Sequence, residues 1–174
     1  MFPPKLRFAL VVICVLVGIY SFTQAKLFPG VALLVVAGLL VYGHISYNRI
    51  WLIYKHVLSG EFEQADTQLK KVGSLGNLSK EHQSYYHFSK GMVAMHKTAY
   101  EEAEAELQQA LDIGLKTDND MAVANFYLAQ IYYNQTSYKI AREYLDTAKK
   151  YQIHPTLQTH VNQLDIVLRQ GEPK

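Results

Sequence analysis

The chain has 174 residues, a formal net charge of +2 at neutral pH and 49% hydrophobic residues. This length allows one ordinary domain with a small addition, and this composition allows a substantial core. Residues 44–174 carry 14 basic and 15 acidic residues, so they lack the basic face that nucleic-acid binding requires, and no nucleic-acid partner is expected.

Two uncharged segments at the start predict a transmembrane hairpin over residues 1–45. The segments are residues 8–25 and 27–48, and a bilayer core of about 30 Å needs roughly 20 apolar residues per helix. Both are therefore expected to contact the lipid bilayer. A cleaved signal peptide over residues 1–25 remains an alternative, because basic residues precede the apolar run and Thr23-Gln24-Ala25 fits a cleavage site.

The basic residues near the segment ends predict the orientation of this hairpin. Lys5 and Arg7 precede the first segment, Lys26 lies on the turn, and Arg49 and Lys55 follow the second segment. Because basic residues favour the cytoplasmic side, both ends are expected there. The sequence thus predicts an integral membrane protein with two spans and a cytoplasmic C-terminal domain.

One pattern occurs three times after residue 60. The copies begin at Phe62, Tyr100 and Tyr138, which are 38 residues apart, and this spacing is called the repeat interval. An aromatic residue is followed by Ala, Leu and a small or apolar residue at i+3, i+7 and i+10, which is one face of a helix. A second helical segment precedes each later copy, and Thr98 with Glu101 has the spacing of a capping box. The three copies are Phe62, Ala65, Leu69 and Val72; Tyr100, Ala103, Leu107 and Ala110; and Tyr138, Ala141, Leu145 and Ala148.

These helix–turn–helix units, with small residues at Gly91 and Ala129, resemble the tetratricopeptide repeat (TPR) family over residues 46–154. The resemblance implies three stacked repeats, at about 46–83, 84–121 and 122–154. The chain departs from the family in its longer repeat interval, since the family repeat has about 34 residues. It also departs at Ile53, where the family expects a small residue, and in the missing closing proline of the first two repeats.

Residues 155–174 are predicted to form a capping helix and a tail. Leu157, Val161, Leu164 and Leu168 follow a helical spacing on an otherwise polar segment, and Pro155 suits the first turn of a helix. Terminal repeats need such a polar cap for solubility. The predicted fold is all-α: two transmembrane helices, a three-repeat TPR-like helical solenoid and a C-terminal capping helix.

A row of large uncharged side chains follows one face of the first helix of repeats two and three. In the TPR family these helices line the concave surface, so the row predicts a partner-binding groove. It contains no Lys or Arg, which favours an apolar helix or extended segment of a protein as ligand. The alternative is that the row packs against a neighbouring repeat or the C-terminal helix. The groove residues are Tyr85, Phe88, Met92, Met95, Phe126, Gln130 and Tyr133.

No pattern in the sequence indicates catalysis, a cofactor or a metal. The acidic run that begins at Glu101 lies near a helix start, where acids complement the helix dipole. His82, His87 and His96 lack the spacing of three or four that brings two side chains together on a helix. The sequence contains neither a nucleophile–base pattern nor a phosphate-binding glycine loop.

Two functions remain open from the sequence. One is a membrane-anchored scaffold for protein–protein interaction, whose TPR groove recruits or assembles a membrane-associated complex. The other is a structural accessory subunit that contacts such a complex mainly through its transmembrane hairpin.

Overall fold

The computed structural model describes residues 49–171 and eight isolated positions before them. The chain divides into two compact units, residues 1–48 and 49–174. The eight isolated positions belong to the first unit, and all of them are helical: 12, 13, 17, 20, 31, 35, 36 and 38.

Residues 49–171 form seven α-helices and contain no β-strand, which confirms the all-α class. A short 3-10 helix, Leu75–Asn77, lies between the second and third α-helices. The helices are α1 (49–58), α2 (Phe62–Leu69), α3 (Lys80–His96), α4 (Tyr100–Ile113), α5 (Asp118–Asn134), α6 (Tyr138–Ala148) and α7 (Pro155–Gly171).

The two-span membrane localisation is contradicted by the helices that the structure describes. None of them is both long enough and apolar enough to cross a bilayer. The 17-residue helices α3 and α5 show the reason, because both carry charged residues, among them Lys80, Glu81 and Asp118. The predicted spans, residues 8–25 and 27–48, lie almost wholly outside the described residues. The assignment as an integral membrane protein is therefore not retained.

The helices of the second unit pack as helical hairpins. Helix α3 packs along α4, and α5 packs along α6, while α1 and α2 contribute to the same core as α3 and α4. The alanines of the repeated pattern, Ala65, Ala103 and Ala141, have no exposed surface. The apolar face predicted from that pattern is therefore the buried face of α2, α4 and α6.

The turn inside each hairpin has the same backbone conformation. Gly60, Thr98 and Thr136 follow one another at the repeat interval and have φ values of +74°, +58° and +60°. The amide of the next residue reaches back to the last turn of the helix in each case, as when Ala99 N donates to Ala94 O over 3.0 Å. This is the Schellman ending of a helix, in which one residue is left-handed. The turn conformation thus recurs at the same spacing as the sequence pattern.

The predicted capping box at Thr98 and Glu101 is wrong, because Thr98 belongs to the end of α3. Its hydroxyl donates to Lys97 O over 2.6 Å, and its positive φ serves the turn. The N-cap of α4 is Ala99, which makes no side-chain capping bond.

Side-chain caps do occur at the starts of α3 and α5. Ser79 Oγ accepts from His82 N over 3.4 Å, and Thr117 Oγ1 accepts from Asp120 N over 3.1 Å. These two caps satisfy an amide that has no partner within the first turn of its helix. Ser79 and Thr117 are separated by the repeat interval, so the helix start follows the repeat as well.

Helix α7 covers the exposed side of the third hairpin. Val161, Leu164 and Leu168 are buried and join the core formed by α5 and α6. An ion pair between Lys149 Nζ and Asp165 Oδ1, 2.8 Å apart, links α6 to α7 at the edge of that core.

Candidate functional site

A cavity of about 690 Å³ opens on the side of the unit where α1, α3, α5 and α7 meet. The first helix of every hairpin contributes to its wall, and the start of α7 completes it. Most of its lining is apolar: Val57, Leu58, Phe62, Phe88, Met92, Val123, Phe126, Tyr127 and Leu157.

Four of the seven predicted groove residues meet at this cavity. Phe88 and Met92 on α3 and Phe126 and Gln130 on α5 all line the wall. Gln130 is partly exposed, whereas the other three are mostly covered by neighbouring helices. The cavity therefore presents the edges of these side chains, and their bulk belongs to the core.

The other three predicted groove residues lie elsewhere. Tyr85 is only 1% exposed, and its ring centroid lies 4.9 Å from those of both Trp51 and Tyr54 on α1. Met95 packs against the core that α3 and α4 share with α1 and α2. Tyr133 packs against Tyr138 with a centroid distance of 5.7 Å. For Tyr85 the packing alternative describes the observed contacts, because α1 covers that part of the α3 face.

A buried carboxylate, Asp120, is among the residues that line the cavity. It is 1% exposed and accepts hydrogen bonds from three hydroxyl groups. Tyr54 donates to Oδ1 over 2.7 Å. Tyr85 and Thr117 donate to Oδ2 over 2.8 and 2.7 Å. Because Tyr54, Tyr85 and Asp120 belong to three different hairpins, this cluster ties the first helices together.

Both tyrosines of this cluster are held in their neutral form. Burial raises the pKa of Tyr54 and of Tyr85 well above the ordinary value, and the hydrogen bond to Asp120 raises each pKa further. A phenol that stays protonated keeps its hydrogen available for donation. The two hydroxyls therefore remain donors to Asp120 throughout the physiological pH range.

The start of α7 and the residue before it supply another part of the cavity wall. His154, Thr156, Leu157 and His160 line it. The amide of His154 donates to Asn119 Oδ1 over 3.1 Å, which ties this segment to the start of α5. A site framed by four helices is thus completed by residues that follow the last repeat.

Sequence reasoning did not identify Asp120 or the α7 wall. A signal for Asp120 was present, because Thr117 and Asp120 repeat the spacing of Ser79 and His82 one repeat interval later. The α7 wall had no such signal, since its apolar spacing only predicted a cap.

The other charged clusters are explained by contacts between helices. Glu106 Oε2 lies 2.7 Å from His87 Nδ1, and Glu106 Oε1 accepts from Lys90 over 2.7 Å. Glu104 accepts from the Tyr132 hydroxyl over 2.7 Å. Across the described part of the chain, no three His, Cys, Asp or Glu side chains come together as a metal site would require. The acidic run thus braces α4 against α3 and α5.

Comparisons of this chain with protein-family models, with curated proteins and with solved structures find no match.

Proposed function

We propose that residues 49–171 form a TPR-like array of three hairpins whose cavity binds an apolar segment of a partner protein. The observation that carries this proposal is the cavity of about 690 Å³ with its largely apolar wall. Binding sites in proteins are typically concave and apolar, with a few polar groups that fix the orientation of the ligand. Asn119, Asp120 and Gln130 supply such groups.

The repeated geometry supports the array. The turn conformation at Gly60, Thr98 and Thr136 recurs at the repeat interval, and so does the burial of the alanine that follows each turn. A single hairpin cannot bury its apolar face alone, and stacking neighbouring units forms a continuous core. Stacked units also align their first helices on one side, where an extended binding surface results.

The lining favours a protein segment as the ligand. Leu58, Val123 and Leu157, which line the cavity and are exposed or half-buried, offer contact area with few polar demands, which suits the apolar face of a helix or an extended chain. The residues that line the cavity include no Lys or Arg, so a free carboxylate end would find neither of these partners there. An amphipathic helix that lies in a groove is a common recognition mode of this kind.

Peptide selection against the full chain tests the proposal. A displayed library of peptides of about 18 residues, roughly five helical turns, is selected for binding. The best binder is then measured against Leu58→Gln/Val123→Gln, which makes two positions of the cavity wall polar. The matched control is Ile140→Gln/Ile166→Gln, because these two apolar residues are exposed and lie outside the cavity lining.

We expect the cavity variant to weaken binding at least tenfold and the control to leave it unchanged. Loss of two apolar contacts at about 1 kcal/mol each corresponds to more than a factor of ten. Circular dichroism checks that both variants keep their helices. Equal binding by both variants, or a library that yields no binder, would contradict the proposed function.

A further inference from the structure

The cavity has one fixed charge, and that charge is negative. Among the described residues that line it, Asp120 is the single carboxylate, and the remaining ionisable groups are Tyr127, His154 and His160. The wall is otherwise built from apolar side chains and from uncharged polar ones such as Asn119 and Gln130. The cavity thus combines a largely apolar lining with one buried carboxyl group.

Asp120 is buried without a cationic partner, unlike two other aspartates of the unit. Asp66 pairs with Lys70 and Lys97, and Asp165 pairs with Lys149 and Arg169. Within residues 49–171, no Lys, Arg or His lies in ion-pair distance of the Asp120 carboxylate. Its three hydrogen bonds all come from hydroxyl groups.

A buried carboxylate in this setting is only partly compensated. Asp120 is the third residue of α5, where the helix dipole stabilises a negative charge only modestly. Hydroxyl donors supply hydrogen bonds but no opposite charge, and burial of an unpaired charge is costly. A carboxylate can accept about four hydrogen bonds, and Oδ1 accepts one, from Tyr54. By this count the buried carboxylate has one acceptor position that none of the three hydroxyl groups occupies.

We propose that the ligand of this cavity is an amphipathic segment with one lysine or arginine in its apolar face, and that this cation pairs with Asp120. The inference rests on the proposed function and adds the charge of the partner to it. The aliphatic part of a Lys or Arg side chain packs along apolar surface while its head group reaches a polar one. Leu58, Val123 and Leu157, the more exposed apolar residues of the lining, supply that apolar surface.

The experiment compares three peptides on the full chain. A library that offers Lys, Arg, Gln and Glu equally at every polar position is selected for binding. The basic position whose alanine substitution weakens the best binder most is then made Lys, norleucine or Glu. Norleucine keeps the aliphatic stem and lacks the charge, so the Lys–norleucine difference isolates the cation.

Two protein variants locate the partner of that cation. Asp120→Asn removes the buried charge and keeps the size of the side chain. Asp118→Asn makes the same chemical change two positions earlier on α5, at an exposed residue outside the cavity lining. The preference for Lys over norleucine is measured in the wild-type chain and in both variants.

We expect the wild-type chain to bind the Lys peptide about tenfold more tightly than the norleucine peptide and to reject the Glu peptide, as charge complementarity in a desolvated site requires. Asp120→Asn should abolish this preference, and Asp118→Asn should keep it. If Asp120→Asn fails to fold, the three peptides on the wild-type chain still test whether the cavity prefers a cation, and equal affinity for Lys and norleucine still overturns the inference.

Selected peptides without a basic residue, or equal affinity for Lys and norleucine, would overturn the inference while leaving the apolar cavity as a binding site. A Lys preference that survives in Asp120→Asn would overturn it as well. Self-association that blocks peptide binding would assign the cavity to a second copy of the chain, which also contradicts it. A library without any binder refutes the proposed function itself.

Discussion

Helices α3 and α4 approach each other closely at Gly91, and this contact predicts how a larger residue there changes stability. A Cβ atom added at Gly91 would lie 2.7 Å from Leu107 Cγ, 3.0 Å from Cδ2 and 3.2 Å from the Leu107 backbone nitrogen. Neither the branch point of Leu107 nor its backbone can move aside easily. Overpacking of this kind costs about 1–3 kcal/mol, and replacing a helical glycine by alanine returns about 1 kcal/mol. We expect Gly91→Ala to lower the free energy of unfolding by about 1 kcal/mol and by no more than about 2 kcal/mol.

Thermal and urea denaturation of the full chain measure this loss. Gly73→Ala is the control, because no atom lies within 4 Å of a Cβ at Gly73, and its stability should match the wild type or exceed it slightly. A double-mutant cycle with Leu107→Ala tests the cause. Leu107→Ala should cost less in the Gly91→Ala background, with a coupling above about 0.5 kcal/mol. Equal stability of the two glycine variants, or additive effects in the cycle, would refute the close approach.

Three further changes probe the turns, the α7 junction and the core. Thr98→Gly should raise the melting temperature. The change removes the cost of a left-handed β-branched residue, about 1–2 kcal/mol, and loses only about 0.4–1 kcal/mol because glycine makes the unfolded chain more flexible. A lower melting temperature would contradict this. Lys149, and then Arg169, hold the pKa of Asp165 below its ordinary value. The Asp165 carboxylate therefore adds to the free energy of unfolding above about pH 4, and this addition is lost as the pH falls through the pKa of the folded state. The melting temperature should therefore fall less with decreasing pH for Asp165→Asn than for the wild type. An equal fall in both proteins would contradict this role of Asp165. Ser89 is fully buried and its hydroxyl has no hydrogen-bond partner within the described unit, so Ser89→Ala should leave stability unchanged or raise it by about 1 kcal/mol, and a clear loss would reveal a missed partner.

The sequence predicts the hairpin cores well because the repeated pattern is long and regular. Ala65, Ala103 and Ala141 can be aligned without gaps, and all three are buried. The same alignment did not reveal the turn conformation, because Gly60 is replaced by threonine in the two later turns. Threonine is rare at positive φ, so the sequence around Thr98 predicts a helix start, whereas Thr98 follows the end of α3 in the structure.

The candidate site is predictable only in part, because a helical period identifies a face but not what covers it. Phe88 and Phe126 reach the cavity, whereas Tyr85, one turn earlier on α3, is covered by Trp51 and Tyr54. That difference depends on the packing of α1, which no local pattern specifies. The burial of Asp120 is not predictable from a local pattern either, because its hydroxyl partners Tyr54 and Tyr85 are distant in sequence.

Site-specific photo-crosslinking tests the central claim, that the cavity holds the partner segment, most directly. A photoreactive benzoylphenylalanine at Gln130, which lines the cavity and is partly exposed, is irradiated in the full chain with the best selected peptide. The control carries the same group at Ile166, which is exposed on α7 and lies outside the lining. We predict a covalent peptide adduct from Gln130 and none from Ile166. An adduct from Ile166 with none from Gln130 would contradict the account.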